Sequence, residues 1–255
     1  MSLTTINGLV THYKIEGKGT PLLLLHGWGG SSESFYKVQK ILMARYQVIS
    51  IDFPGFGETD VPEHPWGVEE YKDFIIAFLD KLNIDTCVIV AHSFGGRVAL
   101  LLAAVHPGRF RALVLIAAAG MKHEHSAQEK AAGFVARMGK RIISLPFLDK
   151  LEKPARSLFY RLIRRKDYFF AQGVMRKTMQ KVIEKDLSPL LPSIVLPTLI
   201  IWGNKYSLTP LEDAHRMHKE IRNSKLYIIK GGSHYLVRRH SLKVASQITA
   251  FLSSL

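Results

Sequence analysis

The chain of 255 residues contains one cysteine, Cys87. A single thiol excludes an intrachain disulfide and a multi-thiolate metal site, and its place in the apolar run T-C-V-I-V-A marks it as a core residue. Long apolar runs are missing too. The most extended, A-L-V-L-I-A-A-A-G-M at 112–121, stops well short of the roughly 20 residues a bilayer span needs. The stretch M-S-L-T-T-I-N-G-L-V lacks the basic segment, apolar core and small-residue cleavage site of a secretory signal, so a cytoplasmic location is expected. Acidic residues are scarce relative to basic ones, 21 against 35, for a formal charge of +14. Residues 121–190 alone carry 16 lysines and arginines against 7 acids. A basic surface attracts anionic substrates, nucleic acid or acidic lipid, and it also keeps a protein soluble. Solubility is the expected role, and no nucleic-acid partner is expected, because no zinc-finger spacing or RNA-binding signature accompanies the charge.

What is present describes a globular α/β chain. With 47% hydrophobic residues, a chain of this length buries a substantial core, commonly as one α/β unit. β-type runs recur at 10–16, 21–25, 47–52, 86–91, 111–118, 197–202 and 225–230. Several are apolar throughout, as strands covered on both faces of a mostly parallel sheet should be. Helical patterns at 33–43, 69–81, 94–105, 211–221 and 240–253 alternate with them, which predicts a doubly wound sheet flanked by helices. Asn7-Gly8 between two β-prone runs predicts a hairpin and antiparallel first strands. Residues 120–190 break the rhythm, with apolar residues at helical spacing and no strand pattern. They read as a helical insertion between a first core part, 1–119, and a second, 191–255. Within the insertion, Leu158, Phe159, Leu162 and Ile163 share a helical face while Arg161, Arg164, Arg165 and Lys166 lie elsewhere. Such a helix either packs over a cleft, the expected arrangement, or lies on an anionic membrane surface.

Chemistry enters at A-H-S-F-G-G, residues 91–96, where a strand bends sharply into a helix. Ala91, Gly95 and Gly96 permit a tight turn and close strand–helix packing, exposing the Ser93 hydroxyl at the carboxyl end of the sheet. A neutral hydroxyl attacks poorly, so it needs a base. His234, in K-G-G-S-H-Y-L-V after the last β-type run, is the candidate, since such loops converge on the same sheet edge. A third strand–loop, L-L-L-L-H-G-W-G-G at 22–30, suits an oxyanion hole, with the Trp28 and Phe94 amides as donors by position. His26 and His92 are expected to orient loops. His123 and His125 are expected on the surface, and H-E-H at 123–125 offers too few ligands for a metal. No metal and no cofactor are expected.

Together H-G-W-G-G, D-F-P-G-F-G at 52–57, A-H-S-F-G-G, P-T-L-I-I-W-G at 197–203 and G-G-S-H resemble the α/β-hydrolase superfamily across nearly the whole chain. The resemblance is to its small capped esterase and carbon–carbon bond hydrolase branch. It implies an α/β-hydrolase fold, a mostly parallel eight-stranded sheet flanked by helices, with a helical cap inserted after the sixth strand. It also implies a metal-free reaction in which Ser93 attacks a carbonyl, His234 moves the proton and water releases the acid.

Two positions depart from the family pattern. Ala91 stands where the elbow usually has its first glycine, a change of one methyl group. Tyr206 stands three residues beyond Gly203, where the family carries its catalytic aspartate. A phenol with a pKa near 10 is neutral at pH 7 and brings no charge to the histidine. Glu124, after the sixth strand, is the alternative acid and keeps the order nucleophile, acid, base. Glu212 and Asp213 are expected to open a helix, and Asp52 and Asp60 to brace loops. The resulting expectation is a serine hydrolase acting on a small ester or related acyl substrate, with an anionic one suited to the basic insertion. The alternative is a catalytically weak or inactive hydrolase-fold protein that holds an acidic ligand.

Overall fold

The computed structural model describes residues 2–122, 173–205 and 208–255. Eight strands form one sheet: β1 (Ser2–Ile6), β2 (Leu9–Glu16), β3 (Pro21–Leu25), β4 (Gln47–Ile51), β5 (Cys87–His92), β6 (Phe110–Ile116), β7 (Thr198–Gly203) and β8 (Ser224–Ile229). Their spatial order is β1-β2-β4-β3-β5-β6-β7-β8. The pairs β1–β2 and β2–β4 are antiparallel, and all others are parallel. Asn7 and Gly8, with φ of 48° and 83°, close the first hairpin as a two-residue turn that needs left-handed backbone at both positions.

The apolar runs are apolar because alternate residues enter two different cores. In β3, Leu23 and Leu25 join the layer containing Phe74, Phe78 and Val98, whereas Leu22 and Leu24 join the layer containing Val38, Val244 and Ile248. Strand β5 divides likewise, with Cys87, Ile89 and Ala91 on one side and Val88 and Val90 on the other. The first layer is supplied by α2 (Val68–Lys81), α3 (Phe94–Val105) and a helix at Leu211–Glu220; the second by α1 (Tyr36–Leu42) and a helix at Ser241–Leu252. Cys87 is fully buried, and burial pushes its thiol up to about 12, as a core residue requires.

After β6 the chain leaves the sheet for its helical insertion. The described part contains α4 (Gly173–Glu184) and a 3-10 turn at Ser188–Ser193. Helix α4 rests on the segment that follows β4: the Trp66 N–H donates to Thr178 Oγ1 at 3.0 Å and Lys181 Nζ donates to the Pro65 carbonyl at 2.9 Å, while Lys185, just past the helix, pairs with Glu69 of α2 at 2.7 Å. The insertion's entry and exit are tied together, since the Leu187 N–H donates to Gly120 O and the Lys122 N–H to Asp186 Oδ1. The amphipathic stretch at 158–166, together with His123, Glu124, His125 and Tyr206, lies outside the described residues. Helix α5 (Leu211–Glu220) opens with Glu212 and Asp213 as expected, and α7 (Ser241–Leu252) closes the chain. Between them lies the short helix α6 (Leu236–Arg239), whose four residues are too few to leave a periodic pattern. Among the described residues no helix is long and apolar enough to cross a membrane.

Candidate active site

The site is assembled at the carboxyl ends of β3, β5, β6, β7 and β8. Ser93 joins β5 to α3 with φ 53° and ψ −115°. That backbone conformation is sparsely populated for a residue with a Cβ and costs about 1–3 kcal/mol. Its neighbours hold it in place. The Ser93 N–H donates to Ile116 O, its carbonyl accepts from the N–H groups of Gly96 and Ala119, and the Gly95 N–H donates to His26 O. The two glycines are required by space rather than by backbone angle. A Cβ on Gly95 would stand 2.3 Å from the Leu25 carbonyl oxygen, and one on Gly96 would stand 2.4 Å from the Ala118 Cβ. Ala91, by contrast, is packed in the core with its methyl group accommodated.

His234 arrives on the loop after β8. Its Nε2 atom lies 2.9 Å from Ser93 Oγ across 141 residues of sequence. His234 is 6% exposed, and burial, reinforced by the nearby His92, pulls its pKa from 6.5 down to about 3. The imidazole is therefore neutral at pH 7 and able to accept a proton at Nε2. Its other nitrogen, Nδ1, faces the hydroxyl of Thr209 at 3.3 Å, and Thr209 Oγ1 donates to the Ala117 carbonyl at 3.3 Å. Sequence reasoning missed Thr209. A threonine before a proline carries no chemical signature until the fold sets it beside a histidine.

His26 and His92 orient the surrounding loops, as expected. The His26 Nε2 atom accepts from the Phe53 N–H at 3.0 Å, so its Nδ1–H donates to the Gly27 carbonyl at 2.8 Å. His92 donates from Nε2 to the His234 backbone carbonyl at 2.9 Å. Burial lowers both rings to about 4. Asp52 braces three segments at once, accepting from the N–H of Ser32, the N–H of Glu58 and the His12 ring. Burial opposes its ionisation, but these donors outweigh it and hold the carboxyl below the usual range. Asp60 accepts from the Val10 N–H at 2.7 Å. Neither aspartate is hydrogen-bonded to His234 among the described residues.

The H-G-W-G-G loop runs against the elbow. A Cβ on Gly27 would come within 3.1 Å of Ser93 Cβ, so glycine is what lets this loop approach the serine. Trp28 follows, and its ring meets those of Phe94 and Phe56 edge-on, with centroids 5.3 and 4.8 Å apart. Phe94 also packs on Phe53 and Tyr71, giving the site an aromatic flank. Among the described residues, neither the Trp28 nor the Phe94 N–H is used in a backbone turn or loop bond. No group of three or more His, Cys, Asp or Glu side chains among the described residues could hold a metal ion.

Three similarities place this architecture. The dihydrolipoyllysine-residue acetyltransferase component of the acetoin cleaving system from Pseudomonas putida is 27% identical over 96% of the chain, which spans 66% of that protein's length. The 2-hydroxy-6-oxo-6-(2'-aminophenyl)hexa-2,4-dienoic acid hydrolase of Metapseudomonas resinovorans is 28% identical over 96% of this chain and 88% of its own. The solved structure of a bacterial membrane phospholipase A superposes with a TM-score of 0.78 at 23% identity, covering 99% of this chain and 85% of the other. The model of the α/β hydrolase fold matches residues 20–237, and the chain belongs to that family.

Proposed function

We propose that the protein is a serine hydrolase that cleaves a small carboxylic ester or a related acyl compound, with Ser93 as nucleophile and His234 as base. The observation that carries this reading is the 2.9 Å separation of Ser93 Oγ from a neutral, buried His234 Nε2. As Oγ bonds to the substrate carbonyl carbon, its proton passes to Nε2. The carbonyl oxygen becomes an oxyanion and takes the Trp28 and Phe94 N–H groups as donors, each worth several kcal/mol in such a site. The Nε2 proton then goes to the departing alcohol, leaving an acyl group on Ser93. Water attacks this acyl-enzyme, gives its proton to Nε2, and the serine recovers that proton as the acid leaves.

Residues 120–190 act in this reading as the cap over the acyl site, between core parts 1–119 and 191–255, and their positive charge favours an anionic substrate. The Metapseudomonas relative, a hydrolase of a dienoic acid, supports an acyl substrate bearing a carboxylate. Tyr206 occupies the family's acid position and leaves the triad without its usual charge unless Glu124 supplies it. The neutral Thr209 hydroxyl at His234 Nδ1 supports a second reading, a ligand-binding protein of low turnover. Steady-state hydrolysis of short-chain p-nitrophenyl esters separates the two. The hydrolase reading predicts measurable turnover that falls at least about 10³-fold in Ser93→Ala. Equal rates in the two proteins would refute the nucleophile assignment.

A further inference from the structure

We propose that the outer face of the helical layer formed by α1, α6 and α7 docks on the surface of an acidic phospholipid bilayer. Docking of this kind is independent of the serine-hydrolase reading, since it concerns a surface and not the reaction.

The two helical layers differ in charge. On the first, signs are mixed: α2 carries Glu69, Glu70, Asp73 and Asp80, and α5 carries Glu212, Asp213 and Glu220. Four of these acids pair with Lys185, Lys72, Arg109 and Arg216. The second layer supplies no acid. Residues 34–51 contain three lysines and arginines and residues 221–255 contain six, and neither stretch has an aspartate or glutamate. Among the described residues, the ion pair that reaches this layer from elsewhere is Glu16 on Lys40 at 3.3 Å. Lys37, Arg238, Arg239 and Lys243 are exposed and form no ion pair among the described residues.

Apolar side chains share that face. The inner sides of the three helices are spent on the core through Val38, Leu42, Leu236, Val244 and Ile248. Helix α1 packs against both α6 and α7, so their outer sides form one continuous surface. On it Leu242 is 75% exposed beside Lys243, and Tyr36 is 53% exposed, with Lys40 Nζ 5.7 Å from its ring centre. Ile41 is exposed on α1 as well. At the margin stands the exposed Tyr235, its ring edge-on to His234, so the loop carrying His234 borders the face.

A single exposed apolar residue is ordinary. Here large ones are interleaved with unpaired cations on a surface that lacks acids, and an acidic bilayer satisfies both. Its headgroup phosphates take the cations, and its interfacial zone takes the leucine, the isoleucine and the tyrosine rings. A nucleic acid would take the cations but leave Leu242 and Ile41 in water. A second copy of the same face would set like charges against each other.

Vesicle co-sedimentation of the full chain tests this with two lipid mixtures, phosphatidylcholine alone and phosphatidylcholine with an equal amount of phosphatidylglycerol. The expected result is at least about 10-fold tighter binding to the acidic vesicles, weakening as salt rises. Arg238→Glu combined with Arg239→Glu should lower that binding at least about 10-fold. Leu242→Ser, which leaves the charge unchanged, should lower it at least about 3-fold. As a control, Lys81→Glu combined with Lys219→Glu, on α2 and α5, makes the same change in net charge and should leave binding within about 2-fold of wild type. Equal binding of the wild type to both mixtures overturns the proposal whether or not any variant folds. A loss as large in the control variant overturns it too, because net charge and not this face would then be responsible. So does vesicle binding that Leu242→Ser leaves intact and a single-stranded oligonucleotide abolishes, or a dimer in sedimentation velocity that Leu242→Ser dissociates. None of these readouts uses ester turnover, so failure here leaves the hydrolase reading untouched.

Discussion

The ring of His92 donates from Nε2 to the backbone carbonyl of His234, 2.9 Å away, and the two imidazole centroids lie 4.9 Å apart. The hydrogen bond positions the loop carrying His234, and the ring proximity means that a proton on either ring repels one on the other. Together with His26, they form a set of buried neutral imidazoles behind the elbow.

This arrangement makes stability depend on pH with a definite sign. The folded pKa values of His26, His92 and His234 are lowered to about 4, 4 and 3 from an unfolded value of 6.5. The unfolded chain therefore binds more protons below pH 6.5, and stability present above that pH is lost as pH falls toward 4. Each histidine contributes a slope of up to about 1.4 kcal/mol per pH unit in that window. Urea unfolding at pH 7.5, 6, 5 and 4.5 should show a flat region followed by progressive loss. Stability constant down to pH 4.5 would mean that these rings protonate in the folded state. Asp52, whose carboxyl is held low, adds its loss only at more acidic pH.

The proposal that Tyr206 leaves the base without a carboxylate predicts a gain from supplying one. Placing a carboxylate at the family's acid position in Tyr206→Asp should raise kcat at pH 7 at least about 10-fold, because an adjacent anion stabilises the imidazolium that forms during proton transfer. The same anion favours protonated His234 in the resting enzyme. The acid limb of kcat/KM, expected well below pH 6.5 in the wild type, should therefore move upward. A pH–rate profile of both proteins checks the two shifts together. An unchanged kcat and limb would show that another carboxylate, Glu124 foremost, already serves His234.

The elbow predicts a loss of stability both on adding and on removing one methyl group, the addition being the costlier. Gly95→Ala drives a Cβ to within 2.3 Å of the Leu25 carbonyl oxygen, a backbone contact that cannot yield, and should cost about 3 kcal/mol or more while displacing Ser93. Ala91→Gly, which restores the family's usual residue, removes a packed methyl and adds strand flexibility, and should cost about 1–2 kcal/mol. Thermal unfolding of both variants gives the comparison. A stabilised Ala91→Gly would mean that the methyl is strained where it sits.

Much of this organisation was legible in the residues. Helix 94–105 coincides with α3, because the β5 run ends where the small residues of the elbow begin. The purely apolar β3 and β5 runs announced a sheet covered on both faces, since alternate residues serve both cores. Ser93 and His234 were each recognisable from a glycine-rich turn at the end of a strand, and the fold brings them within hydrogen-bond distance. Thr209 was not, because its importance comes from a contact with His234 and another with Ala117, and neither leaves a local pattern. The end of β6 was misplaced by two residues for a similar reason. Ala117 and Ala118 extend the apolar run, but the backbone has already turned. Glu124 and Tyr206 fall outside the described residues, so their expected roles stand on the chain's resemblance alone.

The central claim is that Ser93 is an activated nucleophile whose reactivity comes from His234. Intact-protein and peptide mass spectrometry after brief exposure to a fluorophosphonate tests it directly, because the adduct identifies the attacking oxygen and its rate reports the base. One adduct per chain, carried by Ser93 and formed at least about 100-fold more slowly in His234→Ala, is the predicted result. Absence of an adduct on Ser93, or labelling indifferent to His234, would contradict it.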